Sequence, residues 1–143
     1  YLDTVPNIYV GSEYLKYFYG KSVKNYLNTC ESEKISFSGD DELEIICIPP
    51  WQIKKLDAKI DHFHNAASFV EMPERVIKNY VSYLKKNKIK DISIVSYGDH
   101  DPRTTFNPEL LNKFFDGNLD IQWNENLIDE YKKKSIFLTS KKN

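Results

Sequence analysis

Between Lys59 and Tyr97 the sequence changes its periodicity twice, and this change constrains the fold more than any other feature. Lys59 to Met72 starts as a short alternating segment, with Ile60 and Phe63 among polar neighbours, and then crosses the small residues Ala66 and Ala67. Pro73 follows, with its fixed backbone suited to the first turn of a helix, and Glu74 complements the positive end of the helix dipole. Val76, Ile77, Tyr80, Val81 and Leu84 then recur on one helical stripe, with Lys85, Lys86 and Lys88 at the negative end. Ile89 to Tyr97 reads as a strand centred on Ile92, Ile94 and Val95. Strand, helix and strand in this order predict two parallel neighbours joined by the helix, because parallel strands need such a crossover. In an open α/β sheet the carboxyl end of the first strand is where ligands sit. Asn65, Ser68 and Glu71 cluster just beyond that end, although an ordinary turn after a buried strand would have the same composition.

The flanks extend the alternation. Tyr1 to Thr4 reads as the end of a strand and Val5 to Asn7 as a turn. Ser12 is a candidate cap for a helix carrying Tyr14, Leu15, Phe18 and Tyr19, with Gly20 as its stop. Ser22 would start a second short helix with Val23, Tyr26 and Leu27 on one face. Ile35 to Phe37 is a short candidate strand. Leu43 to Ile48 is an apolar run of the kind buried on both faces of a parallel sheet. Pro49 and Pro50 end it, since proline cannot donate to the ladder, and Trp51 stands at its rim. Further on, Asn107 and Pro108 would open a helix with Leu110, Leu111, Phe114 and Phe115 on one side. Asp120 to Trp123 and Ser135 to Thr139 read as an antiparallel edge pair. The expected class is α/β, in three layers, with a mostly parallel sheet.

Composition narrows the partners. The 143 residues fit one domain, and 29% charged with 41% apolar residues is a globular balance. A net charge of -1 offers no basic face for nucleic acid or an acidic membrane. No apolar run approaches the roughly 20 residues of a membrane span. Cys30 and Cys47 form neither a metal spacing nor a disulfide framework, and they fit a reducing, cytoplasmic setting. The ten tyrosines are expected at the edge of the core with their hydroxyls outward. His62 and His64, two apart in a strand, share a face and could share a metal, but no third and fourth ligand is evident.

Three pieces carry a family resemblance: Leu2 to Leu15 (LDTVPNIYVGSEYL), Glu44 to Trp51 (EIICIPPW) and Asp61 to Met72 (DHFHNAASFVEM). Taken in order, and from Asp3 to about Gly98, they resemble the sugar O-methyltransferases, a branch of the Rossmann-like S-adenosylmethionine-dependent methyltransferases. The terminal strands follow in the family's order. The resemblance implies a hydroxyl methylated at the expense of S-adenosylmethionine, with a small-molecule or saccharide acceptor. It implies that Asp3 holds the cofactor's ribose hydroxyls, although a solvated turn aspartate reads the same way. Trp51 would line the adenine site or simply pack at the rim. Asn65 would meet the amino acid end of the cofactor or a substrate hydroxyl, with Ser68 and His64 toward the acceptor. Glu71 would be the base that takes the acceptor's proton, or a carboxylate placed only by the helix dipole, and His100 is the rival base.

One part of the family pattern is missing. The fold needs a Gly-rich turn after its first strand, because only a backbone without side chains approaches the cofactor closely enough. The five glycines, at 11, 20, 39, 98 and 117, include no Gly-x-Gly. The expected object is therefore the distal part of a methyltransferase domain, with the first strand and helix absent. The alternative is a degenerate α/β module kept for protein contacts.

Overall fold

A computed structural model describes residues 1–97, 107, 110–125 and 134–141. The chain forms two compact units, Tyr1–Lys59 and Ile60–Asn143. Both combine helices with short strands, and the second holds an open sheet of mixed parallel and antiparallel strands.

In the first unit, helix α1 spans Asn7–Tyr19. It starts more than a turn before the expected cap, because the chain is already winding at Thr4: the Ile8 amide donates to the Thr4 carbonyl at 2.8 Å. Ser12 therefore lies inside the helix, buried, with its hydroxyl donating back to the Tyr9 carbonyl at 3.0 Å. Gly20 stops the helix as expected, at φ 53°, a left-handed value that glycine adopts without a Cβ penalty. Only Ile8 and Ser12 are buried along α1, and Tyr14 and Tyr17 are 66% and 84% exposed. These two tyrosines lie well outside the core edge where the sequence placed them.

Strand β1 is Val23–Lys24, where a second helix was expected to begin at Ser22. That helix, α2, is Tyr26–Thr29 and is capped by Asn25. The Asn25 side chain accepts from the Leu27 and Asn28 amides, while Asn28 returns a bond to the Asn25 amide at 2.9 Å. Such a reciprocal cap satisfies amides that the first turn leaves without partners.

The apolar run around β2 (Ile45–Ile46) organises this unit. β2 runs parallel to β1, and Ile48 continues the pairing on the other side with Leu2, also parallel. Residues on its two faces enter two clusters, as expected for a strand buried on both sides. Cys47 packs with Ile8 and Val23; Ile46 and Ile48 pack with Ile35. The segment at Ile35 makes only an isolated parallel bridge to Leu56, too little for the expected strand. Residues Pro50–Lys55 form a 3₁₀ helix after the buried Pro49.

The second unit contains the predicted crossover. Strand β3 (His62–Ala66) leads through a 3₁₀ turn at Ser68–Glu71 into α3 (Glu74–Lys86), and β4 (Asp91–Tyr97) follows. β3 and β4 are parallel, with His62 opposite Asp91 and Asn65 opposite Ile94. Ile77, Tyr80, Val81 and Leu84 are the buried stripe of α3. The Phe69 ring lies 5.9 Å from Phe63 of β3 and 5.8 Å from Tyr80 of α3, so one aromatic row ties the strand to its helix. α3 ends without a glycine. Lys88 takes φ 56°, and the Lys88 and Ile89 amides close the last turn on the Lys85 and Leu84 carbonyls. This double closure satisfies carbonyls that would otherwise lack a donor.

The short helix α4 (Leu111–Phe114) precedes β5 (Leu119–Glu125), and β6 is Lys134–Ser140. The sheet order is β3-β4-β6-β5. β6 is antiparallel to both β4 and β5, so β5 runs with β3 and β4. The expected antiparallel pair is present, with the last strand in sequence inserted inside the edge.

Glu44 provides a test of the first unit. It pairs with Lys24 of β1, and the Ser38 amide and hydroxyl donate to it at 2.7 and 3.1 Å. The bond to Lys24, followed by that to the Ser38 amide, holds its carboxyl below the ordinary value of 4.5. A carboxyl depressed in the folded state adds stability above its unfolded value, and that stability fades as pH falls below 4.5 through the folded value. Urea melts from pH 7 down to pH 3 should therefore show a shallower acid loss for Glu44→Gln than for the parent. Identical slopes would mean that the pair contributes nothing measurable.

Candidate functional site

The turn between β3 and α3 is built by one side chain. Asn65 is 8% exposed and faces the interior, as its place between the outward His64 and Ala66 dictates. Its amide nitrogen donates to the Ser68 hydroxyl at 2.6 Å, and its carbonyl oxygen accepts the Phe69 amide at 3.2 Å. Ala67 between them stands at φ 61° and ψ -10°, in the left-handed region. Its amide donates to the Val95 carbonyl of β4 at 2.7 Å, which fixes the turn to the neighbouring strand. A left-handed alanine costs about 1–2 kcal/mol. Two side-chain bonds of about 1 kcal/mol each, with Phe69 buried behind them, offset it. Strain held in this way is concentrated at ligand clamps and active sites.

Asn65 and Ser68 are thus brought together, and each retains hydrogen-bonding capacity. The second Asn65 N–H and the Ser68 hydroxyl proton are not used by the two bonds described. Glu71 closes the 3₁₀ turn as an exposed carboxylate, a position from which it can reach a solvent-side ligand. His64, one residue before Asn65, points to the other face of the strand. Its Nδ1 lies 2.7 Å from the Ser93 hydroxyl, away from the turn. His100 lies outside the described residues.

Asp3 and Trp51 belong to the first unit. Asp3 is half-buried, with one oxygen accepting the Thr4 amide at 2.7 Å and the other the Tyr1 hydroxyl at 2.8 Å. Burial, then the bond to Asp3, pushes the Tyr1 phenol up to about 12, so it remains a donor throughout the neutral range. The ring lies against Gly11 of α1, where an added Cβ would stand 2.6 Å from it. Each Asp3 oxygen keeps a lone pair for a ligand hydroxyl. Trp51 is 66% exposed at the start of its 3₁₀ helix, which leaves the indole face open.

Among the described residues no group of three or more His, Cys, Asp or Glu side chains could hold a metal. No described helix is long and apolar enough to cross a membrane. The chain matches no family model, no curated protein and no solved structure.

The left-handed Ala67 gave no signal in the sequence, since alanine has no preference for that region. The Asn65-x-x-Ser68 spacing was visible, but its meaning as an internal clamp required the turn geometry. The clamp predicts that Asn65→Ala lowers stability by about 1–3 kcal/mol, because the Phe69 amide then lacks its partner in the interior. Ser68→Ala should lose less, since it removes only the partner of the Asn65 amide nitrogen and leaves the acceptor bond to the Phe69 amide in place. Urea denaturation of both variants measures this, and equal losses would show that the acceptor bond is not the dominant one.

Proposed function

We propose that these residues form part of an S-adenosylmethionine-dependent O-methyltransferase, acting on a hydroxyl and, by family resemblance, on a sugar. The fold proposed is the Rossmann-like one of that family. The observation that carries this reading is the strand–turn–helix at β3 and α3. A parallel pair with a crossover helix has at the carboxyl end of its strand a clamped, strained turn with spare polar capacity. That is the location at which the resemblance expects the amino acid end of the cofactor and the acceptor.

The roles follow from the groups available. Asn65 would orient the ligand through its remaining amide hydrogen, and Ser68 through its hydroxyl. Glu71 would take the acceptor's proton as the methyl group leaves sulfur. S-adenosylmethionine supplies the methyl group itself, so the protein's contribution is mostly alignment of the acceptor oxygen with it.

A second reading is favoured by the missing Gly-x-Gly: a non-catalytic α/β module that makes protein contacts. The two readings are separated by titrating the natural gene product that contains these residues, which should bind S-adenosylmethionine only if it is the methyltransferase. A Gly-rich turn would have to come from outside these 143 residues, so the 143-residue chain alone should bind S-adenosylmethionine more weakly than about 1 mM by calorimetry. Micromolar binding would mean that the cofactor site lies elsewhere than proposed.

For catalysis, the natural gene product containing these residues is assayed for transfer of labelled methyl from S-adenosylmethionine to a panel of saccharides. Glu71→Gln should lower turnover by about 10²-fold or more with cofactor affinity unchanged. Full turnover in that variant would remove Glu71 as the base. Absence of any methyl transfer together with absence of cofactor binding would favour the module.

A further inference from the structure

We propose that Ser93 is an activated nucleophile, with His62 as its base and Asp91 as the group that positions His62, able to take an acyl or phosphonyl group from small activated esters. The site is separate from the β3–α3 turn. It lies toward the amino ends of β3 and β4, whereas the turn lies at the carboxyl end of β3.

The register creates it. His62 stands opposite Asp91, and His64 opposite Ser93, on neighbouring parallel strands. Because side chains alternate, all four fall on the same face of the sheet. His62 Nδ1 lies 3.0 Å from Asp91 Oδ2, and His62 Nε2 lies 2.8 Å from the Ser93 hydroxyl. Asp91 is braced by a third strand: the Ser140 hydroxyl of β6 donates to Asp91 Oδ1 at 3.3 Å and accepts the Ile92 amide at 3.1 Å.

With His62 neutral, one arrangement of protons satisfies the whole chain of contacts. The carboxylate can only accept, so His62 carries its proton on Nδ1 and leaves Nε2 as an acceptor. The Ser93 hydroxyl then donates to His62 Nε2. His64 Nδ1, 2.7 Å from the same oxygen, donates to it. A hydroxyl in contact with an imidazole whose far nitrogen is held by a carboxylate is the arrangement that activates a serine. His62 is half-open to solvent and Asp91 more so, at 45% and 70% side-chain exposure, so an ester can approach from that face.

The step balances without a further reagent. Ser93 Oγ bonds to the ester carbonyl carbon as its proton passes to His62 Nε2. Collapse of the adduct breaks the ester C–O bond, and the departing alcohol takes the proton from His62. Water then cleaves the acyl-serine by the same route and restores the hydroxyl. With a fluorophosphonate the O–P bond forms, the P–F bond breaks and the adduct remains.

The test treats the folded chain with a fluorophosphonate and maps the adduct by peptide mass spectrometry. One adduct on Ser93 is expected, lost in Ser93→Ala and on unfolding in urea. His62→Gln should slow labelling by about 10²-fold or more. Asp91→Asn should also slow it, and Asp91→Glu should restore part of the rate, a rescue that a merely structural role would not give. Circular dichroism checks that each variant is folded. Nitrogen-15 NMR of the parent reads the His62 tautomer independently of any variant, and the Nδ1–H form is expected. No adduct on Ser93, an unchanged rate in His62→Gln, or an Nε2–H tautomer would each overturn the proposal.

Discussion

The clamp at Asn65 is the interaction on which the second unit depends. β3 must hand the chain to α3 within a few residues, with Phe69 entering the core. That path requires Ala67 to be left-handed, and nothing in alanine favours it. The Asn65 carbonyl holds the Phe69 amide, Ser68 fixes the other end of the Asn65 side chain, and the Ala67 amide is anchored on Val95 of β4. Phe69 is then locked between Phe63 and Tyr80. The local strain is about 1–2 kcal/mol, while burial of Phe69 alone stabilises by about 1.5–3 kcal/mol. The turn is strained because the core behind it makes that strain affordable.

The parts that were legible in the sequence are those with strong periodicity. The stripe of Ile77, Tyr80, Val81 and Leu84 identified α3, and the apolar run of β4 identified a strand, so their parallel pairing with β3 followed from the need for a crossover. The first unit was less legible because its determinants are local hydrogen bonds. Pro6 and Asn7 resemble a turn, yet the Ile8 amide already reaches the Thr4 carbonyl. Val23 has a helical neighbour pattern with Tyr26 and Leu27, but pairing with Ile45 outweighs it, and Asn25 restarts the helix two residues later. Helix propensity differs by only tenths of a kcal/mol among such residues, so a single tertiary pairing decides between the states.

The sites were legible to different degrees for the same reason. Asn65, Ser68 and Glu71 are close in sequence, and their grouping at a strand end could be read directly. The contacts of His62 and His64 with Ser93 span 31 and 29 residues. Sequence alternation did place the two histidines on one face. What they meet there depends on register: a one-residue slip of β4 would bring Ile92 or Ile94 to that face in place of Asp91 and Ser93. Register is fixed by burial of Ile92 and Ile94 on the opposite side, so the apolar core determines where the polar relay forms.

That same alternation keeps the two sites of β3 chemically independent. Asn65 points inward and clamps the turn at the carboxyl end, while His62 and His64 point outward toward Asp91 and Ser93. No side chain serves both. A ligand at the turn draws on the spare capacity of Asn65 and Ser68, and a reaction at Ser93 draws on His62 Nε2 as the acceptor of the serine proton. Substitutions on the outer face leave the Asn65 bonds and the Phe69 core in place, so the relay can be altered without loss of the fold that positions the turn. The reverse does not hold. The clamp holds the same turn whose Ala67 amide is bonded to the Val95 carbonyl, and that bond is part of what sets β3 against β4. The outer site therefore depends on the inner one through the strand register.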